Sequence, residues 1–175
     1  MSTDHPGRLL HVVGSGSSPP SPVGPARPQP AIGQIWIAQP DEGPGVLVLV
    51  TEVNDDNVRA LACSDDGDVA ADTDAVLERH LTGCPYRLLV HGDLACSILT
   101  SRLSYCSGRI DRELVMRIVR RGRGMDYNSR DLGRGTPILT ESDPRAAAKS
   151  EKLQRLRTVQ ARASELGLKI YPLRP

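Results

Sequence analysis

Val46-Leu47-Val48-Leu49-Val50 constrains this chain more than any other stretch. Five consecutive apolar residues, three of them β-branched, leave no polar face, so a strand through them must be covered on both sides. The run continues through Thr51-Glu52-Val53 into the turn cluster Asn54-Asp55-Asp56-Asn57. Upstream, Ile32-Gly33-Gln34-Ile35-Trp36-Ile37 reads as its partner. Between them, Gln39-Pro40-Asp41-Glu42-Gly43-Pro44-Gly45 carries too much Gly and Pro for a helix. A hairpin with a seven-residue loop is predicted.

Strand patterns continue downstream. Val58-Arg59-Ala60-Leu61-Ala62-Cys63-Ser64 alternates as a third strand and ends in the acidic turn Asp65-Asp66-Gly67-Asp68. A short strand within 72–77, a turn over 78–83, and two strands at 86–90 and 95–100 around His91-Gly92-Asp93 complete a set of five or six. Short strands with frequent turns predict a small barrel or a strongly bent sheet. At Asp111 the period changes: Leu114, Val115, Ile118 and Val119 share a face, predicting a helix to Arg121 that Gly122 ends. A second helix begins with Asp143 as N-cap and Pro144 at its first position. It carries Leu153, Leu156, Val159, Ala163 and Leu166 on one side and stops at Gly167.

The expected organisation is a disordered Pro/Gly/Ser-rich leader over 1–31, a barrel domain over 32–121, a linker over 122–142, and a C-terminal amphipathic helix and tail over 143–175. The 175 residues allow one ordinary core plus accessories. With no Phe, one Trp and four Tyr, that core must rest on Leu, Val, Ile and Ala. Net charge is +1, but it is divided as +1 over 1–31, −8 over 32–108 and +8 over 109–175. An acidic half joined to a basic tail implies either contact between the two or an anionic partner for the tail.

Cys63, Cys84, Cys96 and Cys106 have no CxxC spacing, and His80-x3-Cys84 with His91-x4-Cys96 fits no common zinc site. Free thiols in a reducing cytoplasm, with no metal or cofactor, are expected. The apolar Leu9-Leu10-His11-Val12-Val13 is too short for a signal peptide, and no run approaches a membrane span. A cytoplasmic location follows as an expectation.

Several short pieces together carry a resemblance. They are Gly33-Gln34-Ile35-Trp36 opening the first strand, the 46–50 run, Thr82-Gly83-Cys84-Pro85-Tyr86 before a strand, and Ser101-Arg102-Leu103 followed by Gly108-Arg109-Ile110. Over about residues 32 to 121 the chain resembles the MazF/PemK-like family of toxin–antitoxin systems. The resemblance implies an α+β fold with a small SH3-like β-barrel, a homodimer, an antitoxin-like protein partner, and metal-independent endoribonuclease activity on single-stranded RNA. It also implies a Ser or Thr at the end of the third strand, matched by Ser64. The family's Arg-Pro pair before the second strand reads Pro44-Gly45 here, which removes the guanidinium expected to stabilise the scissile phosphate. Arg59, Arg87 or Arg102 would have to replace it.

Other residues have their own chemistry. His80 beside Glu78, and His91 beside Asp93, are general acid or base candidates. Asp65, Asp66, Asp68, Asp72 and Asp74 read as a solvated acidic edge, lacking the pattern of a calcium loop. Arg109, Arg112, Arg117, Arg120, Arg121 and Arg123 form a candidate phosphate-contacting flank, or pair with the acidic barrel. Two further functions remain open: a non-catalytic interaction module docking through its C-terminal helix onto the barrel, a second copy or a partner, and a scaffold with a DNA-binding tail.

Overall fold

The computed structural model describes residues 29–125, 132–133, 135–162 and 165–166. The all-apolar run becomes β2 (Val46–Val53), at the middle of one antiparallel sheet. It pairs on one side with β1 (Gln34–Ala38) and on the other with β3 (Asn57–Ser64). The chain then adds β4 (Ala75–Leu77), β5 (Leu88–Leu99) and β6 (Leu103–Arg109), in the spatial order β4-β5-β3-β2-β1-β6. The fold is α+β, six strands with helices, and the first loop is the predicted seven residues between Ala38 and Val46. Among the described residues the sheet's edge strands are β4 and β6, with one isolated bridge from Val76 to Gly133. Helix α1 (Arg79–Thr82) approaches β6 there, with Cys84 Sγ 3.7 Å from the Ser107 carbonyl.

Both faces of β2 are buried, as its composition requires. Val46, Val48 and Val50 join Trp36, Ala60 and Ile98 in one core, while Leu49 joins Ile35, Leu61 and Cys63 in the other. Helix α2 (Arg112–Gly122) covers the second core with Val115 and Ile118. Helix α3 (Pro144–Val159) covers the first with Leu156 and Val159. Each such side chain is worth roughly 1.5–3 kcal/mol on burial. The C-terminal helix is therefore docked on its own sheet.

Local chemistry sets the helix ends. The Asp111 carboxylate accepts the Glu113 N–H at 2.7 Å, and Asp143 accepts the Arg145 N–H at 2.9 Å with Pro144 beside it, as expected of N-caps. Helix α2 ends at Gly122, as expected, and Gly124, at φ 69°, makes the left-handed turn that follows. Two sequence expectations are corrected. Helix α3 ends at Val159, short of Gly167, which lies outside the described residues. The strands expected at 86–90 and 95–100 are one strand, β5, whose ladder to β3 jumps from Cys63↔Val90 to Leu61↔Ala95. Residues 91–94 bulge out opposite Ala62 at that jump.

Glycines make the bulge possible. A Cβ on Gly122 would collide with the Gly92 carbonyl, so the backbones of α2 and β5 meet directly. The expected linker also has fixed points: Leu132 is buried in the second core, and the Gly133 carbonyl accepts the Val76 N–H at 3.1 Å. The Arg145 guanidinium donates to the Ala70, Thr136 and Pro137 carbonyls. The leader lies outside the described residues except for 29–31, where the Ala31 N–H donates to Gln34 Oε1.

Gly122→Ala should lower unfolding stability by about 1–3 kcal/mol through overpacking against Gly92. Gly67→Ala, whose new Cβ would meet only Val76 at 3.6 Å, should change it far less. Paired urea titrations of the two variants check this.

Candidate functional site

Ser64 ends β3, and its Oγ lies 3.1 Å from His91 Nε2, on the first residue of the β5 bulge. Behind His91 stands Asp74, just before β4, with Oδ2 at 3.4 Å from His91 Nδ1. All three are buried; Asp74 has no exposed surface and His91 has 1%. The pairing of His91 with Asp93 expected from their nearness in sequence is corrected. Asp93 instead binds Lys149 Nζ at 2.8 Å, and the bulge turns His91 to the other side. Asp74, read in the sequence as part of a solvated edge, is corrected too: it is the buried member of the set.

Asp74 is thoroughly satisfied. Its Oδ2 accepts the Ala71 N–H at 2.8 Å, and its Oδ1 receives Lys149 Nζ at 3.0 Å and the Thr73 hydroxyl at 3.3 Å. Burial pushes its carboxyl upward, but the His91 and Ala71 donors and the charge of Lys149 outweigh that and hold it below the ordinary value. Asp74 is thus ionised at neutral pH. An acceptor-only carboxylate beside Nδ1 favours the tautomer with the proton there, leaving the Nε2 lone pair for the Ser64 hydroxyl. The 3.4 Å approach is longer than a good hydrogen bond, and Nδ1 has no other partner among the described residues. Such contacts commonly tighten when a substrate binds.

Helix α3 lies over this relay. Ser64 and His91 line a cavity of about 170 Å³ whose opposite wall includes Glu151, Lys152 and Arg155. Ser64, Lys152 and Arg155 also border a cleft of about 390 Å³ with Gln39, Gly45 and Tyr86. Lys152 Nζ donates to the Cys63 carbonyl at 3.3 Å, and the Arg155 guanidinium reaches the Gly45 carbonyl at 3.4 Å. Burial, followed by the charge of Arg155, lowers the Lys152 ammonium below the ordinary lysine value. A guanidinium therefore stands at the end of the first hairpin loop, brought by α3 rather than by the loop. Asp65, Asp66 and Glu151 border the smaller cavity, so its charge is mixed.

The residues offered by the sequence in place of the loop Arg lie elsewhere. Arg87 pairs with Glu78 at 3.1 Å. Arg102 bridges Asp41 and Glu165, each at 3.6 Å, and donates to the Gln160 carbonyl. Arg59 and Arg123 come together with Met116 in a separate groove of about 430 Å³ between the sheet and α2. Arg109, Arg112 and Arg120 are exposed and Arg117 is half-buried. Arg121 is corrected as a phosphate contact, because it is buried and donates to the Asp74, Leu132 and Gly133 carbonyls.

The sequence reading missed Lys149, Lys152 and Arg155. Their spacing of three residues, beside the apolar stripe of Leu153, Leu156 and Val159, was the available sign of a cationic ridge facing the barrel. Among the described residues no group of His, Cys, Asp and Glu converges on a metal-sized site, and no helix is long and apolar enough to cross a membrane. No family model and no curated protein matches the chain. Among solved structures, the Mycobacterium tuberculosis toxin MazF-mt6 is similar at 18% identity and a TM-score of 0.41, over 54% of this chain and 99% of that one.

Asp74→Asn should destabilise the fold at neutral pH by roughly 3–5 kcal/mol, the usual cost of breaking a buried ion pair. The folded-state value of Asp74 lies below its ordinary 3.8, so the carboxylate's contribution is complete above that value and lost as pH falls through the lower one. The gap in melting temperature between wild type and Asp74→Asn should accordingly shrink as pH falls below about 4.

Proposed function

We propose that this chain is a toxin-like RNA-binding barrel that cleaves single-stranded RNA without a metal ion. The observation that carries the reading is the Ser64–His91 pair, 3.1 Å apart, at a cavity that also holds Lys152 and Arg155. The sequence resemblance to MazF/PemK-like toxins points to the same strand end.

In this reading the ribose 2′-OH attacks the adjacent phosphorus while its proton passes to His91 Nε2, directly or through the Ser64 hydroxyl. The P–O5′ bond breaks and the His91 imidazolium gives its proton to the departing O5′, leaving a 2′,3′-cyclic phosphate, a 5′-hydroxyl and a neutral His91. Asp74 steadies the imidazolium that forms. Lys152 and Arg155 take the charge that grows on the phosphorane oxygens, where a guanidinium held in place acts most strongly. The adjoining cleft has room for a nucleotide, and Tyr86 offers a ring on which a base can stack. Arg59 and Arg123 would track the strand further along, an antitoxin-like protein would be the natural inhibitor, and a homodimer the natural assembly.

A second reading, a non-catalytic interaction module, draws on the mixed charge of the site. Asp65, Asp66 and Glu151 oppose a phosphate at the same cavity. Its docking helix would not be a free arm, because α3 is seated on its own sheet.

Incubation with a long single-stranded RNA in EDTA, mapped by primer extension, separates the two. Endonuclease action predicts reproducible cuts at a short motif, slowed by about 100-fold or more in His91→Gln and in Arg155→Ala. A folded wild-type protein that leaves the RNA intact would sink the catalytic reading.

A further inference from the structure

The His91 imidazole is aimed at an oxygen that already belongs to the protein. Nε2 stands 3.1 Å from Ser64 Oγ, Nδ1 faces the Asp74 carboxylate, and that carboxylate is fixed by the Ala71 N–H and Lys149. Hydroxyl, imidazole and buried carboxylate in this succession form the arrangement that makes a serine oxygen nucleophilic, whatever the chain order or fold that supplies it. Thr73 and Asp93 also hold Lys149, so the acid end of the relay has little freedom to move.

Ser64 opens onto the cavity of about 170 Å³. That space takes a small acyl group, and the adjoining cleft of about 390 Å³, which Ser64 also borders, is left for the alcohol. Lys152, held on the Cys63 carbonyl next to Ser64, is the cation placed to receive charge on a tetrahedral oxygen. Asp65, Asp66 and Glu151 at the same cavity disfavour an anionic acyl group.

We propose that Ser64 is itself a covalent nucleophile, activated by His91, and that the site hydrolyses esters of small uncharged carboxylic acids. This goes beyond the RNA reading, in which the attacking oxygen is the substrate's own. Ser64 Oγ bonds to the ester carbonyl carbon while its proton moves to His91 Nε2. The tetrahedral adduct collapses as the bond to the leaving alcohol breaks, and His91 gives that proton to the alcohol. Water then attacks the acyl carbon, its proton passing to Nε2. Ser64 departs and recovers the proton, so ester and water become acid and alcohol. Asp74 and Lys149 are positioning residues.

The test uses the full chain with a fluorophosphonate probe at pH 8, the adduct being located by peptide mass spectrometry, and with p-nitrophenyl acetate in rapid mixing. Attack by Ser64 on phosphorus displaces fluoride and leaves the label on that residue. The expected result is one label at Ser64, none in Ser64→Ala, a p-nitrophenol burst of one equivalent, and labelling slowed by about 100-fold in His91→Gln. Asp74→Asn should alter the pH dependence of labelling, which a purely structural role would leave in place. A label elsewhere, no label on folded wild type, or equal rates in His91→Gln would overturn the proposal. Should His91→Gln fail to fold, the position of the label and the burst in wild type still decide. Protein that cuts RNA but takes no label would overturn this inference and leave the RNA reading standing. A label on protein that leaves RNA intact would do the reverse.

Discussion

Asp74 carries its charge where no water reaches it, and the arrangement of the site follows from how that charge is compensated. The penalty for burying an ion is several kcal/mol, repaid only where geometry is good and its lone pairs are filled. The Ala71 N–H from its own turn and Lys149 from α3 fill them, and His91 from the β5 bulge faces the same carboxylate at 3.4 Å. Lys149 is the cation that balances the charge. The acid, the imidazole and the C-terminal helix are thus tied into one unit, and Ser64 is reached through it.

The second helix contributes to the same unit from the opposite face. Gly122 of α2 touches Gly92 in the bulge, and Arg121 donates to the Asp74 carbonyl at 3.3 Å. The bulge that aims His91 is therefore held between α2 behind it and Lys149 in front. A functional group placed on a bulge is precise only when both sides of the bulge are packed. Here glycine on each backbone permits the contact on one side and an ion-pair network supplies the other.

Much of the fold was legible in the sequence because its elements are set by local rules. The uninterrupted 46–50 run required cover on two faces, and two cores and two helices provide it. The caps at Asp111 and Asp143 followed from side chains that accept backbone N–H groups. What escaped depends on distant contacts. Gly122 ends α2 as its sequence suggests, but the β5 backbone that passes beside it and admits no side chain there has no local sign. His91 and Asp93 are two residues apart, and the bulge sends them to different partners. Asp74 resembles its exposed acidic neighbours in every local respect, and only the fold distinguishes it. The cations at Ser64 come from a helix some ninety residues away in sequence, so a search confined to the barrel's own Arg residues looked in the wrong segment.

The claim on which both the RNA reading and the serine nucleophile rest is that Asp74 sets the His91 tautomer, leaving Nε2 as a base toward Ser64. Nitrogen-15 NMR of histidine-labelled protein, with His91 assigned through His91→Gln, measures this directly. The account predicts that neutral His91 carries its proton on Nδ1 and has a free lone pair on Nε2, and that this preference weakens in Asp74→Asn. A neutral His91 protonated on Nε2, or a tautomer population unchanged in Asp74→Asn, would contradict it.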